Sequence, residues 1–549
     1  MAQSKQPTVQ DQQPEPDESS LIAARRAKLD WIRDELELNP FGERVDGLIP
    51  LHQARGMFDE GADEAHSDSV AARKEDDSVE LVDDRAKVLV AGRVVQHRDV
   101  GKLVFMVLRD HTGDLQLSIS KSELVSGSFK LAKKIDYGDI VVAGGRMGRT
   151  KRGEICVWAD HFTIQTKSLA PPPGKHHGLA DPEARYRRRY VDMYANPETI
   201  ETFKARSRIV SRIRTFMDGR DFLEVETPMM QPMAGGAAAR PFTTHLNALD
   251  IPLFMRIAPE LYLKRLLVGG LPRVYEINRN FRNEGIDRSH NPEFTSMEVY
   301  EAFGNYETML ELTESLIHEL ARARRNDLLE AGSELDLGSD DAPRLPYGDL
   351  MVDYARPFRS VRFLDLFEEA LGFSADDREK VLAKAKEIGV EDAEKLDHYF
   401  AVNAVFEECA ETTIDPAKPT FVLDWPSVIS PLTRPRKDDP NLAERFDLFI
   451  GGMEIGPAYT ELNDPDLQYE KFTEQLTGID DEETTFRSLD EDFLDALRVG
   501  MPPAGGLGLG IDRIVILLTD SASIRDVILF PLMRPLGAGS DESDVEVTE

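Results

Sequence analysis

The stretch Asn278–Tyr300, NRNFRNEGIDRSHNPEFTSMEVY, decides the reading of the larger part of this chain. Upstream of it and into it, Tyr275, Ile277 and Phe281 fall on one strand parity with Arg279 among them, and Glu276, Asn278, Asn280, Arg282 and Glu284 fall on the other. From Glu284-Gly285 through Asp287, Arg288, Ser289, His290, Asn291 and Pro292 the alternation breaks, which predicts a long loop. A second strand resumes at Glu293, with Phe294, Ser296, Glu298 and Tyr300 on one face and Thr295, Met297 and Val299 on the other. The hairpin so predicted suits a ligand with an anion, a flat ring and a cation. Arg282 offers paired donors to phosphate or carboxylate, Phe294 a stacking face, and Glu298 a partner for an ammonium. A surface hairpin laced by weak ion pairs is the competing reading.

The chain has 549 residues, more than one core usually supports, so at least two domains are expected. With 41% hydrophobic and 30% charged residues it reads as globular. No apolar run approaches the roughly 20 residues of a membrane span, and MAQSKQPTVQ lacks a signal-peptide core, so a cytoplasmic protein without a membrane partner is expected. Cys156 and Cys409 are far apart, which supports neither a disulfide framework nor a cysteine zinc site. The net charge of -34 argues against a broadly basic nucleic-acid surface. Much of the acid lies between Phe58 and Asp84 and from Asp541 to Glu549, segments expected to be solvated and partly disordered. Against that background, Arg185-Tyr186-Arg187-Arg188-Arg189-Tyr190 reads either as an RNA contact or, preferably, as a packing anchor.

In chain order, residues 1–20 are polar, and SLIAARRAKLDWIRDELEL predicts a helix from Ser20, its N-cap, with Ile22, Leu29, Ile32 and Leu36 on one stripe. Five β-rich runs between Lys87 and Thr166 predict a small closed barrel of the OB type. On such a barrel Phe105 and Gln116 would stack on and hydrogen-bond bases, with Arg98 near phosphate; Phe105 as a core residue is the competing reading. LAPPPGKHHG marks a domain boundary. An amphipathic helix ending at Gly219 follows, then DFLEVETPMM as an alternating strand to Pro228, then Gly235-Gly236-Ala237-Ala238-Ala239 as a small-residue turn. RIAPELYLKRLL predicts a helix with Glu260 near its start, and Phe373 to Glu411 a helical insertion.

FDLFIGGMEIG predicts a hairpin turning at Gly451-Gly452, pairing Phe449 with Glu454 and Asp447 with Gly456. Asp447 and Glu454 would then share a face and could hold Mg²⁺; solvated acids on an edge hairpin are the alternative. Glu461 lies on the wrong parity to join Glu454 unless the strand bulges, with Gly456-Pro457 the expected place. GGLGLGIDRIVILL predicts a strand with one face of bare backbone leading into a helix opened by Arg513, where a nucleotide phosphate could sit. It matches neither GxGxxG nor a P-loop.

Three of these segments, FLEVETP, FRNEG with its following strand, and GLGLGIDR, resemble motifs 1, 2 and 3 of the class II aminoacyl-tRNA synthetases. GGAAARPF, RIAPELYLKRL, RNFRNEG, HNPEFTSMEVY, YTELNDP and IRDVILFPLMRP resemble the bacterial lysyl-tRNA synthetases, from Lys87 to Pro535. The resemblance implies an α+β protein: a class II antiparallel sheet flanked by helices over 201–536, with an insertion near 373–411, and an OB-fold barrel over 85–168. An extension over 1–84 with one helix and an acidic segment, a linker over 169–200 and an acidic tail over 537–549 complete the expected layout. It implies ATP, L-lysine and tRNA(Lys) as substrates, up to three Mg²⁺ ions, and a homodimer with Pro228 at its interface. Arg282 would meet the α-phosphate and the lysine carboxylate, Phe294 adenine and Arg513 the γ-phosphate, with Glu284 and His290 also at ATP. Glu260 and Gly236 would take the α-amino group; Glu298, Tyr300, Tyr459 and Glu461 would surround the ε-ammonium. Asp447 and Glu454 would ligate metal, and Arg98, Phe105 and Gln116 would read the anticodon.

Two positions depart from the family pattern: Pro457 stands where Asn is frequent, and Asp447 where Glu is frequent. Competing readings are an aspartyl or asparaginyl synthetase, whose pocket would need a cation, a tRNA-independent ligase acting on protein, which would lack the barrel, and a non-catalytic RNA-binding paralogue.

Overall fold

A computed structural model describes residues 18–172, 179–237, 239–476 and 490–535. The polar N-terminal stretch before Glu18, part of the Pro-rich linker, Ala238 and the acidic tail lie outside the described residues. The chain divides into two compact units, Met1–Ile200 and Glu201–Glu549.

The first unit is built on a closed barrel of β1 (Lys87–Val100), β2 (Leu103–Asp110), β3 (Gly113–Ser120), β4 (Ile140–Arg149) and β5 (Ile155–Thr166), in the order β1-β2-β3-β5-β4. The five runs read from the sequence are these five strands. In β2 the alternation is resolved by burial: Val104, Met106 and Leu108 fill the interior, while Phe105 and Val107 face outward. The helix Ser126–Lys134 adds Phe129, Leu131 and Ala132 to the same core.

Two expectations for this unit are corrected. The first helix runs over Glu18–Leu36, so Ser20 lies inside it and is not its cap. The acidic region after Phe58 is ordered: Asp59 caps the helix Glu60–Glu75 by accepting from the Ala62 backbone N–H. Arg149 of β4 then reaches Glu60 at 2.5 Å and Asp63 at 3.4 Å. Carboxylates that composition assigned to solvent are therefore answered by arginines on the barrel. The linker also carries two short helices, Pro182–Arg187 and Arg189–Ala195. There Asp192 accepts from both Arg185 and the buried Arg189 at 2.8 Å, which favours the packing reading of the arginine-tyrosine cluster.

The second unit contains β6 (Leu223–Glu224), then a small sheet of β7 (Met230–Gln231), β8 (Thr243–Leu246) and β9 (Ile251–Met255), then β10 (Arg273–Phe281) and β11 (Glu293–Ala302). After the hairpin β12 (Arg344–Tyr347) and β13 (Leu350–Asp353) come β14 (Arg359–Arg362), β15 (Thr420–Leu423), β16 (Arg445–Ile450), β17 (Met453–Thr460) and β18 (Ala504–Gly510). Eight of them form one sheet, β14-β15-β16-β17-β18-β11-β10-β6, antiparallel except where β6 meets β10 and β14 meets β15.

One face of this sheet is apolar. Tyr275, Met297, Val299, Leu507, Leu509, Phe446 and Leu448 pack against side chains of the helices Pro197–Asp218, Tyr306–Glu330 and Ile511–Leu518. Two smaller clusters flank the rest of the unit. One joins the helices Glu260–Val268 and Glu491–Gly500 to Val274 and Tyr300, and the other gathers the helical insertion around Phe363, Phe406 and Trp425. The insertion is longer than expected, opening with the helix Phe363–Leu371 and ending at Thr413. DFLEVETPMM is also not one strand: only Leu223 and Glu224 pair with β10, and Met230–Gln231 pairs with β9 instead. Among the described residues no helix is long and apolar enough to cross a membrane.

Arg256, just after β9, joins the small sheet to the large one. Its guanidinium, 1% exposed, donates to Glu276 at 2.6 Å, to the Thr227 carbonyl at 3.1 Å and to the Arg279 carbonyl at 2.9 Å. Thr227 Oγ1 donates to the other Glu276 oxygen. Replacing Glu276 with Ala leaves a buried guanidinium without its counter-ion and should destabilise the protein by about 3–5 kcal/mol. Replacing the exposed Asp336, paired with Arg344, should cost under about 1 kcal/mol. Thermal unfolding of the two variants beside the parent measures both.

Candidate active site

The polar face of the large sheet is assembled strand by strand. Across β10 and β11 the register pairs Glu276 with Glu298, Asn278 with Ser296, and Asn280 with Phe294. A buried ladder fixes this surface: Asn280 donates to Ser296 Oγ at 2.8 Å, and Ser296 donates to Asn278 Oδ1 at 2.9 Å. At the end of the ladder the Arg282 guanidinium lies 5.1 Å from the Phe294 ring centroid, and its Nε is buried with no acceptor among the described residues. The plate and the fork expected from the sequence are thus in contact, with donor capacity unspent.

Beyond Arg282 the chain makes the expected loop, closed at its neck by Arg282 N–H donating to the Pro292 carbonyl. Glu284 is exposed within it. His290 is held through Nδ1, 2.7 Å from Asp287, and Arg513 Nη2 stands 3.2 Å from Nε2. Arginine can only donate, so Nε2 accepts and the ring proton faces Asp287. Arg513 Nη1 donates to the Glu454 carbonyl at 2.6 Å. Asp512, beside it, accepts from the Thr295 N–H at 2.7 Å and pairs with Arg206, which anchors the helix start to β11.

A row of paired residues crosses the face: Arg445 opposite Tyr459, Tyr459 opposite Gly506, and Gly506 opposite Tyr300. Gly506 is required by close approach, because a Cβ there would lie 1.8 Å from Glu461 Oε1. The bare strand face read from GGLGLG is therefore occupied in part by a carboxylate from just past the end of the neighbouring strand. Around it stand the buried Glu260 and Glu461 and the half-buried Glu298. Tyr300 donates its hydroxyl to Glu298 at 3.1 Å. Gly236 lies against Glu260, since a Cβ there would be 3.1 Å from the Glu260 Cβ.

Lys264 Nζ, fully buried, is 2.6 Å from Glu260 and 2.5 Å from Glu461. Burial pushes its ammonium toward neutrality, but the two carboxylates outweigh burial and hold it well above the ordinary lysine range. Burial pushes Glu298 up to about 8, with repulsion from Glu260 adding to it. Burial also raises Glu461, against the pull of Lys264, and its Oε1 has no hydrogen-bond donor among the described residues. Glu260 and Glu461 thus share a single close ammonium, and Glu298 has no ion-pair partner among the described residues.

The β16–β17 hairpin turns at Gly451 and Gly452, both with positive φ of 64° and 74°. Phe449 pairs with Glu454 as expected, but Asp447 pairs with Pro457 rather than Gly456. The correction has a physical cause: the register slips between Leu448 and Phe449, leaving Ile455 as the extra residue of a bulge. The bulge sits one residue before the expected Gly456-Pro457, and it brings Glu454 onto the face shared by Asp447, Tyr459 and Glu461.

Asp447 is gripped by Arg445, Nε at 2.8 Å and Nη2 at 2.7 Å, and the guanidinium lies 4.7 Å from the Trp425 ring centroid. Burial raises Asp447 despite that grip, with Glu454 and Glu407 contributing. Glu411, from the insertion, is pushed up to about 7 by burial and by Glu454, Glu407 and Asp447. No group of three or more metal-ligating side chains forms among the described residues. Hard oxygens with an excess of negative charge nevertheless suit a divalent cation of the kind that takes one or two carboxylates and completes its shell with water and phosphate.

In the first unit, Arg98 pairs with Phe105 across β1 and β2, and Gln116 pairs with Val107 across β2 and β3. All three residues line one groove of about 1420 Å³ on the outside of the barrel, so Phe105 is not a core residue. Pro228 is exposed beside β7.

Sequence reasoning missed Lys264, Arg445, Arg256 and Asp512. Glu260 and Lys264 at a four-residue helical spacing, and Arg445 and Asp447 at a two-residue strand spacing, were legible as same-face pairs. Nothing in the sequence marked Arg256 or Asp512.

Residues 181–534 match the family described as tRNA synthetases class II (D, K and N), and residues 88–165 match the OB-fold nucleic acid binding domain. A lysine–tRNA ligase of Carboxydothermus hydrogenoformans is 50% identical over 520 residues, covering 94% of this chain and 98% of that one. Relatives of the same name from Pelotomaculum thermopropionicum and Leuconostoc citreum are 45% and 43% identical, covering 95% and 93% of this chain and 96% and 98% of their own.

The folded protein holds the Glu298 proton to about pH 8, whereas an unfolded chain releases it near the ordinary 4.5. Its contribution to stability is therefore complete below about pH 4.5 and is lost as pH rises through about 8. Glu298→Gln removes that dependence. The Tm of the ligand-free variant should match the parent near pH 5 and exceed it by a growing margin toward pH 9. A difference that stays flat with pH would rule out the buried, uncompensated carboxyl.

Proposed function

The chain belongs to the class II tRNA synthetases and within them to the lysine–tRNA ligases, and on that premise we propose which of its residues carry out lysine activation and tRNA charging. The protein joins L-lysine to ATP, giving lysyl-adenylate and pyrophosphate, and transfers lysine to the 3′ end of tRNA(Lys). The observation that carries the residue assignment is the charge shortage at the sheet face, where Glu260 and Glu461 share Lys264 and Glu298 has no ion-pair partner among the described residues. A substrate with two ammonium groups meets that shortage; an aspartate side chain would add to it.

The lysine carboxylate attacks the α-phosphorus of ATP, and no protein nucleophile is needed. Glu260, with the backbone at Gly236, takes the α-ammonium. Glu298, Tyr300, Tyr459 and Glu461 surround the ε-ammonium. Arg282 holds the α-phosphate and the substrate carboxylate in line, and its contact with Phe294 supports a neighbouring place for adenine. Arg513, with His290, receives the outer phosphates, and the exposed Glu284 lies on the loop that would close over ATP. Asp447 and Glu454 are the residues to hold Mg²⁺, which when bound offsets charge on the phosphates. Selectivity follows from the carboxylates, because a neutral analogue leaves them buried without partners.

In the barrel, Phe105 stacks on an anticodon base, Gln116 hydrogen-bonds one, and Arg98 meets the backbone. The homodimer forms around Pro228, where Met229, Met230, Leu249 and Ile251 expose apolar side chains. We assign the protein to the cytoplasm on its role in translation.

The test is ATP–pyrophosphate exchange across the amino acids. Exchange with lysine and none with aspartate is expected; the reverse would sink the assignment. In the same assay Glu298→Gln should raise the KM for lysine at least about tenfold while moving the KM for ATP little. Phe105→Ala should impair tRNA charging and leave exchange intact, and loss of both would remove the division of labour between barrel and sheet.

A further inference from the structure

A lysine side chain of this chain's own stands beside the carboxylates that would receive the substrate. Lys264 lies one turn after Glu260 on the helix Glu260–Val268, and Glu461 follows the end of β17, so the ammonium bridges helix and sheet. Phe493, on the helix Glu491–Gly500, covers it with a ring centroid 5.9 Å from Nζ. With no exposed surface on its side chain, Lys264 does not meet the substrate itself.

We propose that Lys264 is a positioning residue for lysine selection: its buried ammonium bridges Glu260 and Glu461 and holds both carboxylates in place for a substrate that carries two ammonium groups. The inference rests on the lysine-activating reading above and adds a residue that reading does not use.

The charge count makes the case. With all three ionised, as a bound dication would make them, Glu260, Glu298 and Glu461 carry three negative charges against one positive on Lys264, so two remain to be met, the number of ammonium groups on lysine. Glu298, which burial keeps protonated in the empty pocket, gives up its proton as the cation arrives. Arg282, at the tip of the hairpin, is left for the substrate carboxylate. Without Lys264, Glu260 and Glu461 would face each other with no cation between them, and repulsion would drive a further carboxyl, beyond Glu298, toward its protonated form. The pocket would then ask for fewer cations and lose its preference. The other groups around it are Tyr300 from β11, Glu276 from β10 and Tyr459 from β17. None of them supplies a replacement cation.

Lys264→Met keeps the length of the side chain and removes its charge. In lysine-dependent exchange the variant should show a KM for lysine raised at least about tenfold at pH 7, and a KM for ATP within about twofold of the parent. Its lysine KM should also fall more steeply than the parent's from pH 7 to pH 8.5, as Glu461, raised by burial and no longer drawn down by Lys264, gives up its proton. Equal changes in both KM values, or pH profiles parallel to the parent's, overturn the proposal. Should the variant fail to fold, Lys264→Met combined with Glu461→Gln, which restores the charge count, should fold again; a double variant that also fails makes Lys264 a packing residue and overturns the proposal. A parent protein that shows no exchange with lysine overturns the functional reading itself, before any variant is compared.

Discussion

Carboxylates buried with too few cations are the condition on which the rest of this catalytic unit depends. A folded chain normally pairs such groups or neutralises them, because an unpaired buried charge costs several kcal/mol. Here Arg256 fully answers Glu276, and Arg445 takes both oxygens of Asp447. Glu298 has only a tyrosine hydroxyl, and Glu461 has one oxygen without a donor among the described residues. The sheet is therefore charge-satisfied at β10 and β16 and electrostatically incomplete between them. Stability withheld there becomes available to a cationic substrate, which is the arrangement expected where binding and specificity matter more than the empty state.

Backbone features make that incompleteness geometrically possible. The central strand β18 contributes leucines to the core and glycines to the site, and at Gly506 the missing side chain is where the Glu461 carboxylate lies. The bulge at Ile455 reverses the parity of β17, so Glu454 on the strand and Glu461 just past its end are offered to the same side. Neither device adds a functional group; each decides which groups can meet.

Much of this was legible in the sequence because strands alternate strictly. The faces of the β10–β11 hairpin, the five barrel strands, the glycine turn and the need for a bulge all followed from parity and turn chemistry. What escaped was what parity does not contain. The bulge fell at Ile455 because a slip in pairing is set by both strands together, and only one was being read. Leu223–Glu224 became a two-residue strand because pairing partners, not alternation, end a strand. The acidic helix Glu60–Glu75 looked disordered because composition cannot see the arginines waiting on β4. Arg256 and Asp512 bind groups far away in the chain, and no local pattern announces them.

Arg513 is occupied twice over by its own protein, by the Glu454 carbonyl and by the ring nitrogen of His290. Those two bonds use two of the five N–H donors of a guanidinium, so the fork is oriented by its own protein while donors remain for an anion. Fixing the fork beforehand removes side-chain entropy that a free arginine would lose on binding.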